Sequence, residues 1–331
     1  MKALVYTGPE QLDYRDVPDA VPPTGDVLVR VEAVGICGSD LHAYLGHDER
    51  RPAPLILGHE AAGTVVSGDA SGRRVTINPL VTCGVCDMCI AGRNNLCPHR
   101  QIISMPPREG AFAQFVAIPP ENLVEVPEAI SLEKAALAEP LACGWHSVRL
   151  AAAASAASLA KASCLIIGGG AIGVGAALAL SVQGASSIYI AETNRLRHAA
   201  LQGAGPFTVF DPGSAPGGMD MPDIVIDAVG ITATREMASR AVRPGGVIVH
   251  IGLGTAAGGL DVRRMTLQEI TFIGTYTYTP DDFRATAAAL FAGELGALDW
   301  AEERSLRDGA AAFADIRAGR AATPKIILKP W

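Results

Sequence analysis

The chain has 331 residues, a formal net charge of -7, a pI near 5.5 and a mean hydropathy of +0.26. That length exceeds the size at which one core keeps growing, so two domains are expected. The acidic balance, with no cluster of Lys and Arg, excludes a polyanion-binding surface, and no uncharged apolar run reaches the roughly 18 residues a membrane-spanning helix needs.

At the N-terminus, MKALVYTGPEQL carries Lys2 but meets Gly8, Pro9 and Glu10 before an apolar signal region can form. A cytoplasmic setting is therefore expected. In that setting the seven cysteines read as metal ligands more readily than as disulfides. Up to about residue 120, Pro and Gly interrupt short β-like runs such as DVLVRVEAVG (26–35) and AFAQFVAI (111–118), which predicts a strand-rich first domain.

Within it, Cys83, Cys86, Cys89 and Cys97 form C-x2-C-x2-C-x7-C. Four soft ligands in one short loop can close a tetrahedron around zinc and leave no position for water or substrate, so this ion is expected to be structural. An iron–sulfur centre and bare or disulfide-bonded cysteines are the competing readings. Gly84, Gly92 and Asn94–Asn95 suit the tight turns of such a knuckle.

The Ala-rich segment 151–162 predicts a helix joining two domains. From about 163 strands and helices alternate: SCLIIG, a small-residue run to Gln183, SSIYIAE, a helical stretch around Arg195–Gln202, DIVIDAVG and GVIVHIG. Continuous apolar strands separated by helices imply a doubly wound parallel sheet, an α/β fold. After 274 a return helix and a last strand, KIILKP, are expected to pack back on the first domain.

The run Gly168-Gly169-Gly170-Ala171-Ile172-Gly173 satisfies G-x-G-x-x-G between an apolar strand and a helix. Gly168 allows the turn, Gly170 lets the backbone approach a pyrophosphate, and Gly173 lets helix and sheet pack closely. Glu192 closes the second strand, where a carboxylate accepts hydrogen bonds from ribose hydroxyls and repels a 2′-phosphate. NAD is expected over NADP, with Arg195 and Arg197 as the partial counterweight.

In order along the chain, GICGSDLH (35–42), LGHEAAGTVV (57–66), GRNNLC (92–97), AEPLAC (138–143) and GGGAIG (168–173) resemble the zinc-containing medium-chain dehydrogenase/reductase family, most of all its sorbitol, idonate and related polyol branch. The resemblance covers nearly the whole chain. It implies a GroES-like catalytic domain (1–140 and 275–331) and a Rossmann domain (141–274) that binds NAD.

The resemblance further implies a catalytic zinc on Cys37 and His59, with Glu60 beside it and Glu139 where the alcohol branch has a second cysteine. One thiolate, a neutral imidazole and one carboxylate bring a divalent cation to neutrality, and a second carboxylate would leave the set negative. Glu60 and Glu139 are therefore expected to alternate as inner ligand, and which holds the metal at rest stays open. Asp40 would orient His59, while Ser39 would take the proton of the alcohol and His42 pass it outward. By the same resemblance Arg197 supports the adenosine ribose, Cys143 lines the nicotinamide pocket, and Ala228, Val229, Gly230 and Gly252 run beneath the cofactor.

The expected reaction is oxidation of a secondary alcohol, preferably of a polyol or sugar acid, to a ketone with hydride transfer to NAD. Simple secondary or threonine-like amino alcohols are the alternative substrates. A zinc-free quinone or enoyl reductase and a non-catalytic nucleotide-binding protein are the alternative classes.

A homodimer or homotetramer is expected by analogy, with no nucleic-acid or membrane partner. Tyr44, Ile103 and Tyr276 are taken as substrate-pocket residues, whereas His47, His99, His146, His198 and His250 are expected to be structural or on the surface. The sequence departs from the family in a shortened segment between Gly63 and Asn78, in Arg73 and Arg74 there, and in Gly38 where several alcohol dehydrogenases carry an arginine.

Overall fold

The computed structural model describes residues 1–214 and 219–331. Strand Val27–Gly35, with alternating burial, is the spine of a seven-stranded sheet. It pairs antiparallel with Glu60–Val65, Phe115–Ile118 and the C-terminal strand Lys325–Lys329. The expected strand at 111–118 is regular only over Phe115–Ile118; its first residues make isolated contacts with the N-terminal strand, Leu4 N–H donating to Phe112 O at 2.8 Å.

The second sheet has six strands, all paired in parallel. Ser163–Ile167 lies centrally between Ser187–Ala191 and Ile224–Asp227, and Val247–His250 and Thr271–Gly274 extend the sheet on the latter side. The chain therefore reverses its winding direction at the C-terminal ends of Ser163–Ile167 and Ile224–Asp227, where a doubly wound sheet opens its ligand crevice.

Helix Ala138–Ala154 links the two sheets, but it starts before the Ala-rich segment and ends inside it. Propensity alone pointed to 151–162; the Ser155 hydroxyl instead accepts the Ala157 N–H at 3.2 Å, a local turn that competes with further helix. Helix Pro280–Phe291 lies against the 138–154 helix, and Phe283 and Leu290 share a core with Leu141 and Val148. Only the last strand, and Ala301–Ser305 beside it, joins the first sheet. No helix among the described residues is long and apolar enough to cross a membrane.

Candidate active site

The antiparallel ladder sets Gly35 opposite Glu60, so Cys37, just past the end of one strand, and His59, just before the start of the next, meet at the same sheet edge. The Cys37 thiol, a His59 ring nitrogen and a Glu60 carboxylate oxygen all lie within 4.8 Å of one another. Asp40, in the first turn of helix Gly38–Tyr44, accepts the Cys37 N–H at 3.0 Å and lies 3.3 Å from His59 Nδ1. That contact fixes the ring and leaves its other nitrogen for the cluster. Burial pushes the His59 imidazole down, but the charges of Asp40 and Cys37 more than reverse it and hold the imidazole well above its ordinary value.

Lys325, absent from the sequence reading, completes the cluster. Its Nζ lies 2.6 Å from both Glu60 carboxylate oxygens and donates to Ile36 O at 2.8 Å, wholly buried. A side chain on Gly35 would strike Glu60 Oε2, so glycine there makes room for this ion pair. The expectation that Glu60 and Glu139 alternate rested on charge, and Lys325, which it did not include, sets a positive charge directly against the Glu60 carboxylate. In the sequence the only signal was a lysine opening an otherwise apolar strand, KIIL.

Glu139, in the first turn of the 138–154 helix, lies outside the 4.8 Å cluster but lines the same cleft. It accepts the Tyr278 hydroxyl at 2.8 Å. Burial pushes its carboxyl up to about 7, with His59 opposing and Glu60 adding to the shift. Cys143, one helical turn on, is buried at the same wall.

The cleft encloses about 370 Å³, with Cys37, Ser39, His42, His59 and Glu139 on one side and Ile172, Ala228, Val229 and Gly252 on the other. Of the three expected pocket residues, Tyr276 lines it, but Tyr44 and Ile103 do not. Tyr44 is buried in the core with its ring 5.2 Å from that of Phe313. Ile102, the last residue of strand Gln101–Ile102, lines the cleft, and Ile103, in the turn that follows, is buried in the core.

The loop bearing Tyr276 is pinned on both sides: Asn95 donates to Tyr276 O at 2.7 Å and Arg100 stacks on the Tyr276 ring, while Tyr278 holds Glu139. Between them Thr277 is held at φ 46°, a strained conformation for a β-branched residue, and its buried hydroxyl has no partner.

The Cys83, Cys86, Cys89 and Cys97 thiols form the other metal-holding cluster among the described residues. All four sulfurs lie within 4.8 Å of one another, and the Cys83–Cys89, Cys86–Cys89 and Cys83–Cys97 pairs stand 3.5–4.0 Å apart, close to the edge of about 3.8 Å that a tetrahedron of Zn–S bonds requires. The N–H groups of Val85 and Cys86 pull the Cys83 thiol down to about 6, while burial pushes Cys89 up to about 11.

At the glycine-rich turn, Gly168 (φ 98°) and Gly173 are dictated by the protein itself, since a side chain on either would strike Val229 or Gly168 O. Gly170 is different: an added Cβ there meets nothing within 4 Å. The space above it is a cradle at the start of helix Ala171–Val182, as a pyrophosphate needs. Glu192 accepts the Gly169 and Asn194 N–H groups at 2.8 and 2.7 Å, and Arg197 approaches it to 3.8 Å with a buried, unpartnered Nε. Two further lone-pair directions of that carboxylate remain for a ribose.

A model of the alcohol dehydrogenase GroES-like domain matches residues 23–128, and one of the zinc-binding dehydrogenase domain matches 171–293. Over 297 residues the chain is 32% identical to the sorbitol dehydrogenase of Bacillus subtilis, covering 84% of this chain and 82% of that protein. The chain belongs to the zinc-containing medium-chain dehydrogenase/reductase family.

This dehydrogenase is also 28% identical over 311 residues to the L-galactonate-5-dehydrogenase of Escherichia coli (strain K12), with 90% of this chain and 89% of that protein covered. A solved structure described as a zinc-binding dehydrogenase of Sinorhizobium meliloti, bound to NADP, superposes with a TM-score of 0.88 at 27% identity over 99% of both chains. The dehydrogenase uses His146 and His250 structurally: His146 lies 2.7 Å from Asp282, and His250 faces Asp227 at 3.8 Å. His47 is exposed and also lines the cleft. Arg74 donates to the carbonyls of Pro127 and Ile130, tying down the shortened segment.

Proposed function

We propose that this dehydrogenase oxidises a secondary alcohol of a polyol or sugar acid to the ketone, with NAD as hydride acceptor. The carrying observation is that Cys37, His59 and Glu139 face the nucleotide crevice across one cleft. The donor set, a thiol, an imidazole and carboxylates at a buried strand edge, fits a tetrahedral zinc with one open position. The tetrad of thiols fits a second, structural zinc, and the open cradle at Gly170 fits a pyrophosphate.

In this reading Cys37 and His59 hold the catalytic metal. Glu139 supplies the third donor at rest, because Lys325 engages both oxygens of Glu60. When bound, zinc supplies a Lewis acid that polarises an alcohol oxygen and nicotinamide supplies the hydride acceptor. Ser39 accepts the hydroxyl proton and His42 carries it to solvent; both line the cleft. Asp40 fixes His59, and Tyr278 fixes Glu139.

Gly168, Gly170, Ala171, Ile172 and Gly173 take the pyrophosphate. Glu192 and Arg197 take the adenosine ribose, and Cys143, Ala228, Val229 and Gly252 border the nicotinamide. Residues 1–140 with 275–331 form the catalytic domain and 141–274 the NAD-binding one. NAD is preferred to NADP because the Glu192 carboxylate repels a 2′-phosphate. The enzyme works as a cytoplasmic homodimer or homotetramer.

Metal analysis should find two zinc ions per chain, and a panel of polyols, sugar acids and secondary alcohols should give NADH with NAD faster than NADPH with NADP. If Glu139→Ala leaves both zinc content and turnover intact, the assignment of the third donor is wrong.

A further inference from the structure

We infer that Arg51 receives a carboxylate on the substrate, so that the preferred substrate is a sugar acid rather than a neutral polyol; this rests on the dehydrogenase reading above. Arg51 lines the active-site cleft, yet its side chain is only 2% exposed. Buried guanidinium groups are fully used unless something else completes them. Here Nε donates to Ser104 O at 3.0 Å and Nη1 to Ser39 O at 2.8 Å, while Nη2 donates to no group among the described residues. Nη2 is also not sealed from solvent, since it is not among the buried atoms that lack a partner. Two of the three nitrogens of a rigid, buried cation are thus held by the scaffold, and the third, Nη2, is left for the cleft.

The charge around it is not balanced locally. Asp48 is the nearby carboxylate on this wall, and it is taken in a fork by Arg50, at 2.8 and 3.0 Å, with Arg51 farther away at 3.5 Å. Two guanidiniums share one carboxylate, and His42 and His47 on the same wall add no negative charge. Asp40 is occupied by His59 and by the N–H groups of Cys37 and Gly58. Deeper in, Lys325 offsets Glu60. Around Arg51 the cleft therefore carries two guanidiniums against the one carboxylate of Asp48, and Glu139, held by Tyr278, is the other carboxylate that lines it.

A guanidinium nitrogen with free N–H groups makes a charge-assisted hydrogen bond to a carboxylate that is roughly twice as strong as one to a neutral hydroxyl. Position points to the substrate rather than the cofactor as the source of that anion. Arg51 is hydrogen-bonded to the backbone of Ser39, the proposed proton acceptor, whereas the pyrophosphate cradle is at Gly170. A hexonate bound through a secondary hydroxyl at Ser39 would place its carboxylate along the chain towards this wall.

The test compares a hexonate with the matching hexitol, in the zinc-loaded enzyme and in Arg51→Gln and Arg50→Gln. Wild type should favour the hexonate in kcat/KM, and added salt should raise KM for the hexonate alone. In Arg51→Gln that preference should fall about 10- to 100-fold, the range for a charge-assisted hydrogen bond. Because Arg51 also braces Ser39 and Ser104, Arg50→Gln on the more exposed rim serves as the second variant; releasing Asp48 onto Arg51, it should lower the preference by a smaller factor.

Equal loss for both substrates in Arg51→Gln would mark a merely bracing residue and overturn the proposal, as would a wild-type preference for the hexitol. Weakened NADH binding in Arg51→Gln with the hexonate preference retained would assign the arginine to the cofactor and overturn it too. Turnover of simple secondary alcohols but of neither sugar compound would sink this inference and leave the dehydrogenase reading standing. No alcohol turnover at full zinc loading would remove both.

Discussion

Glu60 shows how one residue's role is decided by a partner far away in sequence. Its carboxylate is wholly buried and ion-paired with Lys325, 265 residues later in the chain. Breaking a buried pair from one side leaves an uncompensated charge at a cost of about 3–5 kcal/mol. Lys325→Met should therefore destabilise the protein by about that amount in denaturant unfolding, and adding Glu60→Gln should recover part of the loss. A double variant no more stable than the single one would mean that the lysine acts through packing alone.

Ser39 is tested by rate. Removing a positioned proton acceptor costs about 10²–10⁴-fold, so Ser39→Ala should lower kcat/KM within that range while zinc content stays that of the unsubstituted protein. The motif residues at this scale, Cys37, Asp40, His59 and Glu139, were legible because each is close in sequence to a glycine-rich or acidic signature. Lys325, Tyr278 and Arg51 were not, since nothing local distinguishes them from a strand lysine, a core tyrosine or a surface arginine.

Among the elements, the 138–154 and 280–291 helices carry the join between the zinc site and the nucleotide-binding sheet. Asp282 is the charged link: it takes the His146 ring at 2.7 Å and Arg149 at 2.7 and 3.0 Å, and caps its own helix through Thr279. Burial pushes the Asp282 carboxyl up, but the hydrogen bonds from His146, Arg149 and Thr279 outweigh it and leave it far below the usual carboxylate range.

A depressed folded value means stability that is present above the unfolded value near 4 and lost as pH falls through and below it. Asp282→Asn should cost about 2 kcal/mol at neutral pH, and its deficit should shrink between about pH 4 and pH 2. Thermal melts across that range check both; a deficit that stays constant with pH would remove the charge from the account. Helix existence was readable here from composition, but the boundary at Ala154 was not, because Ser155 settles it by a side-chain hydrogen bond that propensity cannot foresee.

For the whole molecule, the thiol tetrad and the glycine turn are each built within one stretch of chain, whereas the Cys37, His59 and Glu60 cluster is completed by Lys325 from the other end. Zinc requires thiolates and a neutral imidazole, yet the His59 imidazole stands well above its ordinary value and the Cys89 thiol near 11. Protons held at neutral pH must therefore leave when metal enters, and the apparent zinc affinity should drop as pH falls from 8 to 6, about tenfold per unit for each proton released. Calorimetric zinc titrations in two buffers of different ionisation enthalpy measure that release directly. Identical heats in both would contradict it.

The sequence by itself determined what short range controls: the order of strands and helices, the parallel sheet, the thiol tetrad within one loop and the glycine turn. These follow from periodicity, spacing and backbone freedom, which are written locally. Tertiary structure alone decided the charge of the site and the shape of its cleft. The antiparallel partners of Val27–Gly35 bring Glu60 and Lys325 together, the turn after strand Gln101–Ile102 puts Ile102 in the cleft and Ile103 in the core, and the chain returning after the second sheet sets Tyr278 on Glu139. Electrostatic neutrality and cavity walls depend on distances through space, and those exist only once the two ends of the chain have met.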